Sequence, residues 1–229
     1  MSATVCFGGM MLPLREAIIL ARSEPWVVDG AIIDKAMLSL GYYTLLDHQL
    51  KWLTDNGFEH IVIASDKEYR VYPVFLKNVE FSLEGFPLGT GGAVLKAIDL
   101  ISDKHVYVMN IDSIVLGWNP QLMQFPEAEA KILVTKPRLP FGRVDSKKGY
   151  VTRFVEKPIL DLYASCGHYC FSRHVVERCF PDIGSIEEKV LPKLASERKL
   201  MAERLSGTWV HIDSPRDVRY VTRILESLK

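Results

Sequence analysis

Through the first half of this chain, short runs of β-branched apolar residues alternate with segments of helical periodicity, and that alternation limits the folds open to it. Residues 17–21 (AIILA) and 61–64 (IVIA) are continuous apolar runs of strand length, each followed by polar residues, as strands buried on both faces read. Between them Leu45, Leu46, Leu50 and Leu53 fall at helical spacing within residues 43–56, and Gly57 supplies the stop. A helix over residues 93–100, then strands at 106–109 and 131–135, repeat the pattern. The expectation is an α/β chain: a mostly parallel sheet with helices on both faces.

The second half changes texture. Val144, residues 151–155 and residues 169–171 read as short strands, with Lys147-Lys148-Gly149 offering a hairpin turn between the first two. Ser185-Ile186-Glu187-Glu188 reads as a capping box, and Ser214-Pro215 opens a final helix, Ser as the cap and Pro at the first helical position. No repeat, low-complexity tract or long linker interrupts the chain, so a single domain over 1–229 is expected.

Charge and cysteine usage exclude several partner classes. Lys+Arg 28 against Asp+Glu 28 leaves no basic footprint for nucleic acid, so an anionic ligand must be held by local groups. Charges interrupt every hydrophobic stretch before it reaches the length that spans a bilayer, so no membrane partner is expected. Cys6, Cys166, Cys170 and Cys179 show no CxxC spacing and no secretory leader pattern precedes them, which points to a reduced cytoplasm. Cys166, His168 and Cys170 alternate along one strand face, where buried strand residues are the ordinary explanation and a four-ligand zinc site is not formed by spacing. No Gly-x-Ser-x-Gly supports a serine nucleophile.

Three segments carry chemistry-bearing residues. Pro87-Leu88-Gly89-Thr90-Gly91-Gly92-Ala93 puts glycines immediately before a helix, where unpaired N–H groups and the lack of Cβ atoms let a ligand approach. Asn110-Ile111-Asp112 follows the strand at 106–109, placing a carboxylate at the sheet edge where open α/β sheets bind ligands. Phe154-Val155-Glu156-Lys157-Pro158 ends a strand with an acid beside a base. Taken singly, the glycine segment reads as a plain turn and the acid–base pair as a solvated strand end, and Asp112 reads equally as a cap or turn residue.

In this order, however, they resemble the sugar-phosphate nucleotidyltransferases, also called nucleotide-sugar pyrophosphorylases. Residues 88–93 match the family's Leu-Gly-Thr-(Ala/Gly)-Gly-Ala loop, with Ser82 and Glu84 upstream. Asn110-Ile111-Asp112 stands for its Asn-Gly-Asp motif, Phe141-Gly142-Arg143-Val144 for its aromatic-Gly-x-Val, and Val155-Glu156-Lys157-Pro158 is its Val-Glu-Lys-Pro unchanged. Ser165-Cys166-Gly167-His168-Tyr169 is similar to its sugar-binding strand, Trp209-Val210-His211-Ile212-Asp213-Ser214-Pro215 to its closing Trp-x-Asp-Ile-Gly-Thr-Pro, and Asp34-Lys35-Ala36-Met37-Leu38 to its Pro-Lys-x-(Met/Leu)-Leu.

The resemblance implies a Rossmann-like, mixed sheet of the nucleotidyltransferase (GT-A-like) fold, with a nucleotide-binding half at about 16–125 and a sugar-phosphate half at about 126–229. It implies an enzyme that joins a sugar 1-phosphate to a nucleoside triphosphate and releases pyrophosphate. By transfer, Lys35 and Asp112 are catalytic, and Leu88, Gly89, Thr90, Gly91, Glu84 and Arg22 hold the nucleotide. Gly142, Glu156, Lys157, Ser165 and Gly167 hold the sugar phosphate. Asp112, with His211 and Asp213, would hold Mg²⁺ or Mn²⁺, and a homodimer is in keeping with relatives.

The chain departs from the family at two places. Where the family has the phosphate loop Leu-Ala-Gly-Gly-x-Gly-Thr-Arg, Leu20-Ala21 is followed here by Arg22-Ser23-Glu24-Pro25-Trp26, which removes glycines and N–H donors and adds negative charge. His211 occupies the position of the family's second metal aspartate. These departures raise a second expectation, a catalytically weakened relative that binds a nucleotide or nucleotide sugar as a regulatory or structural subunit.

Overall fold

A computed structural model describes residues 13–22, 25–28, 31–125 and 129–227. Cys6, and Ser23, Glu24, Asp29 and Gly30 of the altered loop, lie outside the described residues. Seven strands form one sheet, numbered here in chain order: β1 (Glu16–Leu20), β2 (His60–Ser65), β3 (Val79–Leu83), β4 (His105–Asn110), β5 (Ala130–Thr135), β6 (Ala164–Ser172) and β7 (Leu200–Arg204). Their spatial order is β7-β5-β6-β4-β1-β2-β3. β4, β1, β2 and β3 are parallel, β6 runs antiparallel to both β4 and β5, and β7 lies parallel to β5, so the sheet is mixed and mostly parallel as expected.

Alternation along the strands assigns the two faces. Ala17 and Ile19 of β1, Ile61 and Ile63 of β2, and Tyr107 and Met109 of β4 pack on one side with Leu45, Leu46, Leu50 and Leu53 of α1 (Leu45–Asp55). Ile18, Val62, Ala64, Val106 and Val108 point the other way, against α2 (Gly89–Ala97), α3 (Arg173–Cys179) and α4 (Leu191–Ser196). A fifth helix, α5 (Pro215–Ser227), adds Val221 to the α1 side. No described helix is long and apolar enough to cross a membrane.

Local chemistry sets the element ends. α1 starts two residues inside the expected span because Thr44 and Asp47 form a complete capping box, the Thr44 hydroxyl accepting from the Asp47 N–H at 3.1 Å and the Thr44 N–H donating to Asp47 Oδ2 at 3.1 Å. At Ser185 one bond of a capping box is present, its Oγ accepting from the Glu188 N–H at 3.0 Å. The hairpin predicted at Lys147-Lys148-Gly149 joins Arg143–Lys147 to Tyr150–Val155, and Lys148 and Gly149 take φ of 51° and 84°, as a two-residue turn with both central residues left-handed requires.

α2 begins at Gly89, four residues ahead of the expected start, because its first turn is held by the segment at 181–184. The Gly91 N–H donates to Gly184 O at 2.8 Å, and the Gly184 N–H donates to Leu88 O at 2.8 Å. A Cβ on Gly92 would stand 2.3 Å from Asp182 O, and one on Gly89, whose φ is +73°, 2.6 Å from Gly184 O. These glycines therefore admit the chain's own backbone. Gly92→Ala should lower the unfolding free energy by about 1–3 kcal/mol in urea titrations, since backbone rather than a flexible side chain must give way. Unchanged or higher stability would contradict that packing.

Cys166 and Cys170 of β6 are buried in the core on the α1 side, and His168 is fully buried within the same strand. Tyr107 Oη lies 2.7 Å from His168 Nδ1, and Ser113 O lies 3.1 Å from Nε2. A carbonyl can only accept, so Nε2 carries the proton and Nδ1 accepts from the tyrosine. Both ring nitrogens are thus engaged, which removes this trio from the metal candidates. Burial pushes the imidazole down to about 4, against the opposing effect of its Ser113 bond. The unfolded chain protonates His168 first as pH falls, so its stability contribution is complete above about pH 6.5 and declines toward pH 4. Between about pH 7.5 and about pH 5 the native chain should lose roughly 2 kcal/mol more than His168→Gln in urea unfolding. Parallel pH profiles for the two proteins would contradict a neutral buried imidazole.

Candidate active site

β4 ends at Asn110, and the chain turns through Ile111-Asp112 into a short strand, Ser113–Leu116, which pairs antiparallel with Thr208–His211. The register sets His211 opposite Ser113, and the Ile212 N–H donates to Asp112 O at 2.9 Å. This ribbon delivers His211 and Asp213 to Asp112. His211 Nδ1 lies 3.6 Å from Asp112 Oδ1 and its Nε2 lies 3.2 Å from Asp213 Oδ2. One donor atom from each of the three residues falls within 4.8 Å of the others, so the set could hold a metal ion.

Lys35 completes the cluster from a 3₁₀ turn, Lys35–Met37, its Nζ donating to Asp112 Oδ2 at 2.7 Å and reaching Asp213 Oδ1 at 3.4 Å. Burial works against its charge, but the hydrogen bond and charge of Asp112, with Asp213 adding, hold its pKa above the ordinary lysine value. The ammonium therefore stays charged between two carboxylates. The indole of Trp209 stacks on the His211 ring at a centroid distance of 6.2 Å, and its N–H donates to Ser113 Oγ at 2.9 Å, which fixes the side wall of the cluster.

Beside it lies a cavity of about 400 Å³ at the C-terminal ends of β1, β2 and β4 and the start of α2. Leu20, Arg22, Lys35, Ala64, Glu84, Pro87, Gly89, Thr90, Ala93, Asn110, Ile111 and Asp112 line it. That edge is where open α/β sheets take ligands. Arg22 reaches Glu84 Oε2 at 3.2 Å, and the Glu84 side chain is only 2% exposed. The Leu88 N–H also donates to that oxygen at 3.3 Å. Asn110 Oδ1 is buried with no hydrogen-bond partner among the described residues.

The motif residues divide between this cavity and its surroundings. Gly89 and Thr90 line it; Leu88 contacts it through Glu84, and Gly91 is turned to Gly184. The Thr90 hydroxyl donates to Glu187 Oε2 at 2.9 Å and accepts from the Ile186 N–H at 2.8 Å. Glu187, which the sequence presents only as part of a cap, also accepts from the Tyr169 hydroxyl at 2.9 Å and so ties the loop to β6. Gly167, with φ +69°, sits against the Asn110 side chain, and its N–H donates to Ser165 Oγ at 3.1 Å. Gly142 lies under the Phe154 ring. Glu156 and Lys157 follow the exposed hairpin strand and do not line the cavity; their side chains are 3.7 Å apart, and the Lys157 carbonyl accepts from Arg138 at 2.9 Å.

A nucleotidyl transferase family model matches residues 31–217. A protein of Oryza sativa subsp. japonica named "Probable mannose-1-phosphate guanylyltransferase 1" is 32% identical over 220 residues, which cover 86% of this chain and 60% of the relative. The mannose-1-phosphate guanylyltransferase catalytic subunit beta of Dictyostelium discoideum is 29% identical over 237 residues, covering 95% of this chain and 62% of the relative. The chain thus spans about 60% of the length of these curated relatives. The crystal structure of HddC from Yersinia pseudotuberculosis complexed with GMP-PN shares the fold, with a TM-score of 0.69 at 20% identity over 93% of this chain and 100% of the other. With the family model covering well over half of its residues, the chain belongs to the nucleotidyl transferase family.

Proposed function

We propose that this chain joins a sugar 1-phosphate to a nucleoside triphosphate and releases pyrophosphate. The observation that carries this reading is the convergence of Lys35 and Asp112, with His211 and Asp213 behind them, on a cavity at the sheet edge. The relatives named for mannose 1-phosphate and guanylyl transfer support GTP and a mannose-type sugar phosphate. Glu84 agrees with that base, since guanine presents two adjacent N–H donors that a buried carboxylate can accept.

In the reaction an oxygen of the sugar phosphate attacks the α-phosphorus in line; the bond from that phosphorus to its bridging oxygen breaks, and pyrophosphate leaves. No side-chain nucleophile is required, so catalysis is positioning and charge neutralisation. Gly89, Thr90 and Glu84 take the base, Gly91 keeps the loop in place, and Arg22 and Lys35 bring positive charge to the phosphates. Ser165 and Gly167 approach the sugar from the Asn110 side, and Gly142, Glu156 and Lys157 are assigned to the sugar phosphate on their motifs.

Asp112, Asp213 and His211 would hold a divalent cation, which supplies charge neutralisation at the phosphate oxygens. The two carboxylates suit Mg²⁺; the imidazole nitrogen does not. The reading also includes a nucleotide half at 16–125, a sugar half at 126–229, cytoplasmic location from the cysteine usage, and a homodimer by resemblance.

A second reading, a weakened relative that binds without turnover, is favoured by one feature: both cavity cations are already paired, Arg22 with Glu84 and Lys35 with Asp112. Pyrophosphate release separates the two. With GTP, mannose 1-phosphate and related sugar phosphates, and Mg²⁺ or Mn²⁺, the native chain should turn over, and Asp112→Asn should lower kcat by at least about a hundredfold. Tight nucleotide binding with no pyrophosphate would establish the second reading, and neither binding nor turnover would contradict both.

A further inference from the structure

Building on the transferase reading, we propose that the Asp112–His211–Asp213 cluster selects a nitrogen-tolerant transition ion of the Zn²⁺, Co²⁺ or Mn²⁺ class over Mg²⁺. The donor set is one imidazole and two carboxylates. Mg²⁺ takes oxygen ligands almost entirely, whereas imidazole is an ordinary ligand for the transition ions.

Geometry supports coordination beyond a mere gathering of charge. Donors bonded at about 2.1 Å to one ion stand roughly 3–3.5 Å apart, and His211 Nε2 stands 3.2 Å from Asp213 Oδ2; the 3.6 Å approach to Asp112 is made by the other ring nitrogen, so an ion would take one nitrogen, with one donor atom of each residue within 4.8 Å of the others. The His211 ring lies over Trp209 at a centroid distance of 6.2 Å, and the Trp209 N–H is bonded to Ser113 Oγ. Outer contacts of this kind orient a ligating histidine. The cluster already holds one cation: the Lys35 ammonium lies 2.7 Å from Asp112 and 3.4 Å from Asp213. An entering ion must compete with a single positive charge for the same carboxylates. A nitrogen ligand that Lys35 does not contact gives the transition ions an advantage in that competition.

Equilibrium binding tests this without reference to turnover. The full chain is titrated with MgCl₂, MnCl₂ and ZnCl₂ by calorimetry and with CoCl₂ by visible absorption, alongside His211→Asp and His211→Asn. The native chain should bind Co²⁺ and Zn²⁺ at least about tenfold more tightly than Mg²⁺, and His211→Asp should shrink that ratio at least about tenfold. His211→Asn, which removes the nitrogen ligand without adding charge, should weaken Co²⁺ binding and its absorption bands, and it serves should His211→Asp fail to fold. Equal affinities in the native chain, or a ratio that neither variant moves, would overturn the inference. Nucleotide binding is measured separately with the same preparations. If the ion preference stands while no ion supports nucleotide binding or pyrophosphate release, the transferase reading fails and the ion assignment survives.

Discussion

Pairing between Ser113–Leu116 and Thr208–His211 is the constraint on which the site rests. Trp209 and Ser113 are separated by 96 positions in sequence, and their hydrogen bond is one of several that lock the two strands. Without this ribbon, Asp112 would be a lone strand-end carboxylate and His211 and Asp213 would precede a surface helix. With it, a one-residue change of register would carry His211 to the opposite face and break the cluster. The sheet supports the ribbon from below. β4 is the middle strand of seven, and Val106, Tyr107, Val108 and Met109 are completely buried, so the turn that carries Asp112 leaves a rigid base.

The electrostatics of the cavity follow from burial. Glu84 and Lys35 are both largely withdrawn from water, and each is compensated, Glu84 by Arg22 and the Leu88 N–H, Lys35 by Asp112 and Asp213. Unpaired, either charge would carry a heavy desolvation cost. A phosphate-bearing ligand entering this cavity exchanges partners with ion pairs already present. The chain's zero formal charge gives no long-range attraction to help, so binding depends on how readily Arg22 and Lys35 turn from their carboxylates to the ligand.

The sequence made the centre of the fold legible and its margins less so. β1, β2 and β4 are continuous apolar runs and α1 carries its leucines at helical spacing, so these elements stand where periodicity puts them. The edge strands β3 and β7 mix exposed and half-buried residues and give no clear period, and the four-residue strands of the ribbon are too short to have one. Motif order, rather than spacing, joined His211 and Asp213 to Asp112, because no local pattern reveals a pairing made across the chain. The glycines of the loop were legible as a place of close approach, but the partner at Gly91 and Gly92 is the backbone at 182–184, which no local signal discloses. Asn110 and Glu187 were visible only as members of a motif and a cap; their roles beside the cavity arise from the pairing of β6 with β4 and from Glu187 joining Tyr169 of β6 to Thr90 of α2.

The most direct test is a crystal structure of the full chain with a non-hydrolysable GTP analogue. The base should lie against Glu84, Gly89 and Thr90, with Arg22 and Lys35 turned to the phosphates and the phosphate chain ending beside Asp112. An analogue bound elsewhere, or a cavity that stays empty with the Arg22–Glu84 pair intact at saturating ligand, would contradict a nucleotide site at this sheet edge.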